Sequence, residues 1–319
     1  MQSDLNILVD TNNKAHRLFS IFITTFNREQ LVIRALDSAY AQQERDCHIV
    51  VIDDGSSDDT TNSLMQWSKY HLTMPITILA LSKNSGKPSA WNSSLPFLHS
   101  TFTVALDSDD ELLPDALTIF KQQWLTIKHP EHYAAVEGLA FLNNLTQLST
   151  PKYPEDPLDS NWLSLSFQYN LWGGDCRRSY RTEVLKEFPF TLFSNEKSAK
   201  DSMITYRMSH LYKVRFFNIP VQIIHQQPHS LSTQGKLRRI TSPHSFRLCY
   251  LELITVHQKY LSCREYIKQY LDYIVYSLHG EVSIVKQIRD TRTPAIYCVL
   301  FPFAYLMYRV QKYKFAMIN

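Results

Sequence analysis

Residues 104–111 read Val-Ala-Leu-Asp-Ser-Asp-Asp-Glu, an apolar run that ends in acidic side chains separated by one serine. Such a run fits a buried strand, and open α/β sheets bind ligands beyond the carboxyl ends of their strands. Asp107 and Asp109 would emerge there together. Crowded carboxylates repel one another and need a cation. Hard oxygen ligands favour Mg2+ or Mn2+, and such an ion takes one or two carboxylates and fills its shell with water and phosphate. The chemistry implied is a metal that holds a phosphorylated substrate. The same residues also suit a helix's first turn, where acidic side chains meet the positive end of the dipole. On this segment alone both descriptions stand.

Two further loops carry chemistry of the same kind. Asp53 and Asp54 follow the apolar run 47–52, and Lys83, Asn84 and Lys87 follow the run 76–81. Acidic groups suit ribose hydroxyls or a metal and lysine suits a phosphate, so the set resembles a nucleotide pocket with a cation. No G-x-G-x-x-G follows the first apolar run and no G-x-x-x-x-G-K-[ST] occurs, which argues against a dinucleotide oxidoreductase or a P-loop ATPase.

These loops need a frame, and the sequence supplies an alternating one. Residues 18–24 read as a strand, 25–28 as a polar break, and Leu31, Ile33, Leu36 and Ala39 as one face of a helix. The pattern repeats with a strand at 47–52 and a helix at 60–70, then a strand at 76–81 and a helix at 90–99, and a fourth strand at 102–106. This order predicts an α/β fold, a mostly parallel sheet flanked by helices, with the loops converging on one edge.

Composition narrows the classes further. Lys and Arg number 33 against 30 Asp and Glu, a formal charge of +3, which gives no sign of nucleic-acid binding. The five cysteines have neither C-x-x-C pairs nor metal-ligand spacing, so reduced thiols in a cytoplasmic protein are expected. The first 18 residues lack the apolar core of a signal peptide.

Thr24-Thr25-Phe26-Asn27-Arg28, Val51-Ile52-Asp53-Asp54-Gly55-Ser56, Asn84-Ser85-Gly86-Lys87-Pro88-Ser89-Ala90-Trp91-Asn92 and Leu106-Asp107-Ser108-Asp109-Asp110 together resemble the family 2 glycosyltransferases with the GT-A fold, in order and in spacing. The resemblance covers residues 18–120 closely and 170–232 more loosely. It implies that Thr24 and Phe26 line the nucleotide base, that Asp54 contacts uridine while Asp53 is structural, and that Lys83 and Lys87 lie in a loop running past the nucleotide. Asp107 and Asp109 match the metal-binding Asp-x-Asp, with Asp109 the direct ligand, which leaves Asp110 and Glu111 as helix-start acids. Asn92 matches a recurring Ala-x-Asn helix start; as a residue it reads as a polar group satisfying nearby backbone.

In the second half, residues 172–182 carry Gly173 and Gly174 and resemble a stretch that borders the acceptor side. Residues 195–203 look like the acceptor-site acidic motif, with Asp201 as general base and Glu196 as the alternative. This chain has Lys200-Asp201 where many members show Glu-Asp. Asp201 also suits a helix cap. Residues 221–225 read as an edge strand, and His225 or His229 could reach the metal or the phosphate, with Lys236, Arg238 and Arg239 nearby in sequence.

From residue 245 onward the periodicity is helical. Residues 294–310 are apolar and aromatic, and Arg309, Lys312 and Lys314 give that end a basic character. A peripheral membrane contact through 294–314, at the inner face of the cell membrane, and a packed terminal helix both fit. The expected organisation is a GT-A domain over 1–240, with a nucleotide-sugar half at 18–120 and an acceptor half at 121–240, followed by a helical region over 241–319. The expected function is inverting transfer of a sugar from a nucleoside diphosphate sugar, uridine-linked, to a glycan or lipid-linked glycan. A nucleotidyltransferase-like enzyme and a non-catalytic nucleotide-sugar-binding subunit are the alternatives.

Overall fold

The computed structural model describes residues 4–143, 145–171, 178–226 and 235–316. Two compact units emerge, one made of Met1–Trp162, Leu171–Phe190 and Arg207–Gln227, the other of Leu163–Asn170, Thr191–Tyr206 and Pro228–Asn319. They interleave along the chain.

The first unit is built on a sheet. Its elements run β1 (Leu5–Asp10), β2 (Arg17–Thr25), α1 (Glu29–Tyr40), β3 (Cys47–Asp53), α2 (Thr60–Tyr70), β4 (Ile76–Leu81), α3 (Lys87–Ser94), β5 (Ser100–Asp107), β6 (Glu111–Leu112), α4 (Ala116–Leu125), β7 (Tyr133–Leu142), β8 (Leu158–Ser160), β9 (Arg178–Arg181), α5 (Thr182–Glu187) and β10 (Lys213–Ile224). The strand order is β1-β4-β3-β2-β5-β9-β7-β10-β6, with β8 pairing β10. Strands β4, β3, β2 and β5 are mutually parallel, and β10 is parallel to β7. β1, β6, β8 and β9 pair antiparallel, so the sheet is mixed. Residues 221–224 end β10, which lies between β7 and β6 and is not an edge.

Continuous burial explains the parallel strands. All of β3 is buried, and Phe19, Ile21, Ile23, Val51, Ile78, Val104 and Leu106 join Leu36 and Phe120 from the helices in one core. Register then sets the site: Thr25 pairs with Asp53 on one side of β2, and Thr24 pairs with Asp107 on the other. The carboxyl ends of β3, β2 and β5 therefore finish in one row.

The second unit is helical. It includes α6 (Gly235–Thr241), α7 (Pro243–Thr255), α8 (Cys263–His279), α9 (Ile284–Thr291) and α10 (Pro294–Ala316). Its tyrosines are core residues with a polar tip: Tyr270, Tyr273 and Tyr297 are buried, the Tyr297 hydroxyl donates to Gln287 Oε1 at 2.8 Å, and Tyr270 Oη lies 2.9 Å from Thr293 Oγ1. Buried tyrosine is stable only when its hydroxyl finds such a partner. Cys47, Cys249, Cys263 and Cys298 are free thiols.

Candidate active site

Three loops leave the carboxyl edge of the sheet, and short polar side chains tie them together. Asn27, after β2, has a positive φ of 49° and accepts from the Ser57 amide at 2.8 Å, while its own amide donates to Ser56 Oγ at 2.8 Å. Asp53 is 1% exposed and takes the Ser56 amide at 3.1 Å together with the hydroxyls of Ser56 and Thr61. It is a brace within its own loop, as the resemblance implies. Asp54 reaches across to the next loop, accepting the Ser85 amide at 2.8 Å and the Gly86 amide at 2.7 Å. Those two bonds hold the loop that carries Lys83 and Lys87.

Gly55 makes this closeness possible. Its φ is +67°, and a Cβ there would lie 2.4 Å from the Lys83 carbonyl carbon and 2.6 Å from the Asn84 nitrogen. Only glycine fits both conditions.

The acidic motif is held from both sides. Lys87 Nζ pairs with Asp107 Oδ1 at 2.7 Å, and Arg28 pairs with Asp109 Oδ2. Arg34, on α1, donates to the Asp109 carbonyl at 2.5 Å and lies 3.5 Å from Glu111. The helix-start role expected of Asp110 and Glu111 is overturned, because α4 begins only at Ala116. Asp110 is 4% exposed and accepts from Gln222 Nε2 at 2.7 Å and from the His225 amide at 3.0 Å. Glu111 lies in β6, paired with β10. These two acids bolt the motif to a strand more than a hundred residues away in sequence.

His225 is drawn to the same place. Its Nε2 lies 2.6 Å from Glu111 Oε1. Among the described residues no three His, Cys, Asp or Glu side chains form a group that could hold a metal ion. His225 is thus a partner of Glu111 beside the motif. Asp107 and Asp109 do fit a divalent ion of the kind that relies on one or two carboxylates and obtains its other oxygens from phosphate and water. Both carboxylates are partly exposed, 36% and 17%.

Thr24 is half-buried in the row of strand ends, Lys83 is exposed, and Phe26 is an exposed aromatic, 38% accessible, just past the end of β2. Asn92 behaves as a backbone satisfier: Nδ2 donates to the Phe190 carbonyl at 2.8 Å and Oδ1 accepts from the Phe190 amide at 2.9 Å.

Glu196 and Asp201 belong to the second unit and differ sharply. Helix α7 opens with Pro243, which has no N–H, so the His244 and Ser245 amides are its first free donors. Glu196 takes both, at 2.7 and 2.8 Å, and the Ser245 hydroxyl at 2.7 Å. It is the helix's cap, supplied from a distant part of the chain. Asp201 is 66% exposed, with Arg238 at 3.8 Å, and its carboxylate faces solvent. Residues 172–177, His229 and the side chain of Lys236 lie outside the described residues.

The pattern of glycosyl transferase family 2 matches residues 20–129, the segment that carries all three loops and the acidic motif. Over 203 residues the chain is 30% identical to the colanic acid biosynthesis glycosyl transferase WcaA of Escherichia coli K12, covering 61% of this chain and 67% of that one. The chain belongs to glycosyl transferase family 2. Another relative in the same family range is the GalNAc(5)-diNAcBac-PP-undecaprenol beta-1,3-glucosyltransferase of Campylobacter jejuni, 28% identical over 74% of this chain and 73% of its own. A chondroitin synthase of E. coli is 34% identical over 102 residues, 32% of this chain, and the chain spans only 14% of it. Among solved structures, Staphylococcus aureus TarS 1-349 in complex with UDP-GlcNAc superposes with a TM-score of 0.59 at 18% identity, covering 92% and 91% of the two chains. The mannosyltransferase PcManGT of Pyrobaculum calidifontis, in complex with GDP-Man and Mn2+, gives 0.55 at 17% identity over 96% and 86%. The fold is thus of the GT-A type, as this family's sequence motifs imply.

Sequence reasoning missed Arg28 and Arg34 as holders of the acidic motif. The signal was present, since an arginine follows Phe26-Asn27 directly after the first parallel strand, but nothing in spacing says which carboxylate it meets.

Proposed function

We propose that this family 2 glycosyltransferase moves a sugar from a nucleoside diphosphate sugar, uridine-linked, to a glycan or lipid-linked glycan acceptor, with inversion, in bacterial surface polysaccharide assembly. The observation that carries this is the row formed by Thr24, Asp53 and Asp107, with Asp109 two residues beyond, at the end of four parallel strands. Phe26 stacks on the base, Asp54 keeps the nucleotide loop closed and contacts the uridine, and Lys83 and Lys87 meet the diphosphate. Asp109, with Asp107, holds Mg2+ or Mn2+. When bound, that ion stabilises the negative charge that grows on the departing diphosphate. Asp201 takes the proton of the acceptor hydroxyl as that oxygen attacks the anomeric carbon in a single displacement. Its exposed carboxylate supports that role, whereas Glu196 has both oxygens engaged. The relative named for a PP-undecaprenol substrate supports a lipid-linked acceptor.

Thermal unfolding with a panel of nucleotide sugars and Mn2+ tests this, because a ligand that binds the native state raises its apparent stability. A metal-dependent rise with a uridine-linked sugar is expected. No response to any of them would refute it.

Contact with the inner face of the cell membrane, through residues 294–314, belongs to the same proposal. No described helix is long and apolar enough to cross a membrane. Helix α10 has two opposite seams. Tyr297 and Ala304 are buried, while Val299, Phe303, Leu306, Val310 and Tyr313, spaced three and four apart, are 46–67% exposed. Arg309, Lys312 and Lys314 lie at its carboxyl end, and no Asp or Glu occurs in the helix. An outward apolar stripe with cations suits an anionic lipid surface. Flotation with phosphatidylglycerol vesicles should recover the full chain and not Phe303→Glu/Leu306→Glu; equal recovery of both in the soluble fraction would refute the contact.

A further inference from the structure

Arg28 is fixed at its backbone, and its guanidinium has one partner, Asp109. The backbone amide donates to Thr60 Oγ1 at 2.9 Å, and the preceding Asn27 is tied to Ser56 and Ser57. The guanidinium, 21% exposed, pairs through Nη1 with Asp109 Oδ2, and no other described residue takes a hydrogen bond from it. Arg34 is the contrast: it donates to the Asp109 carbonyl at 2.5 Å and faces Glu111 at 3.5 Å, fixing the backbone of the motif. One arginine therefore holds the backbone of the motif, and the other meets the charge of its side chain.

A guanidinium with a single protein partner keeps N–H donors in reserve beside a carboxylate that also has to serve a cation. A guanidinium matches two phosphate oxygens as well as it matches a carboxylate, through paired hydrogen bonds. A divalent ion on Asp109 would repel Arg28, and a diphosphate on that ion would attract it.

We infer that Arg28 is an exchangeable counter-ion: it neutralises Asp109 while the site holds no divalent ion, and passes to the donor's diphosphate when one binds. Two consequences follow. Metal alone must displace Arg28 and binds weakly. Metal and nucleotide together satisfy both Asp109 and Arg28, so each strengthens the other, and by linkage by the same factor. Arg28 is thus a positioning residue that couples the two ligands. This rests on the metal and diphosphate roles proposed above.

Calorimetric titration of the full chain tests it, with Mn2+ alone, UDP alone, and each in the presence of the other. For the wild type, UDP should tighten Mn2+ by about 5-fold to 150-fold, the range of ordinary coupling between sites. In Arg28→Met, Mn2+ alone should bind at least about 5-fold tighter than in the wild type, and the mutual enhancement should shrink toward 1. Arg28→Lys, which keeps a charge able to meet either oxygen, should restore part of the enhancement. If the wild type binds neither Mn2+ nor UDP, the metal and diphosphate roles fail, and the inference with them. If it binds both but Arg28→Met leaves the enhancement unchanged, Arg28 acts only as a nearby charge and the exchange is overturned. Weaker Mn2+ binding in Arg28→Met, with its folded spectrum intact, overturns it as well.

Discussion

Replacing Glu196 by alanine should cost stability and spare chemistry, and replacing Asp201 should do the reverse. Glu196 accepts three hydrogen bonds at 2.7–2.8 Å, two of them from the first donors of a helix that begins with proline. A lost cap costs about 1 kcal/mol, and a hydrogen bond to a charged group about 1.5–3 kcal/mol, with strong overlap between the two. A loss of ~3 kcal/mol is expected for Glu196→Ala, allowing for water replacing part of what is removed. Asp201 is exposed and its nearest cation is 3.8 Å away, so Asp201→Ala should change stability by less than about 0.5 kcal/mol. Urea unfolding followed by circular dichroism gives both values, and transfer to an acceptor, normalised to folded protein below the transition, gives the rates. Asp201→Ala should lower kcat by about 100-fold or more, the usual contribution of a positioned base. Glu196→Ala should stay within about 3-fold, because its carboxylate is not available for proton transfer. The reasoning is refuted if Glu196→Ala unfolds at the wild-type urea concentration but has lost transfer, which would make the capping carboxylate the base.

His48 is buried beside Ser20, and burial pushes its imidazole down to about 4 from the ordinary 6.5. The unfolded chain then binds a proton between those values that the folded chain refuses, so stability should fall as pH drops from 6.5 toward 4. The loss should be on the order of 3 kcal/mol, and His48→Asn should flatten the dependence in a urea series across that range. Gly55→Ala would place a methyl group 2.4 Å from the Lys83 backbone, at a φ that side chains avoid. It should weaken UDP binding by about 10-fold or more in calorimetry, since the strain, of order 1–3 kcal/mol, falls on the loop Asp54 holds. Asn92→Ala removes both bonds to the Phe190 backbone and should cost about 1–3 kcal/mol, read by thermal unfolding, with donor affinity unchanged.

The parallel core was legible because buried strands announce themselves: 47–52 and 76–81 are apolar and β-branched, and the loops between them are polar. β1 was not. Leu5–Asp10 alternates poorly and is half-exposed along its length, so nothing in it competes with a loop until β4 is there to pair with it. Motif order located the acidic residues but not their division of labour. Asp110 looks like a helix start from its neighbours in sequence; its real partners, Gln222 and His225, are visible only once β10 is beside β6. The capping bonds of Glu196 were hidden for the same reason, since its donors lie nearly fifty residues downstream.

The ties from Asn27 to Ser56 and Ser57, and from Asp54 to Ser85 and Gly86, make the loops after β2, β3 and β4 a single interlocked block. A change of donor preference could not be engineered by grafting one of these loops from a relative, because each brings half of a bond whose other half stays behind. Transplanting all three together should succeed where any one of them fails, and chimaeras across this family should tolerate crossovers inside α4 far better than between residues 27 and 86.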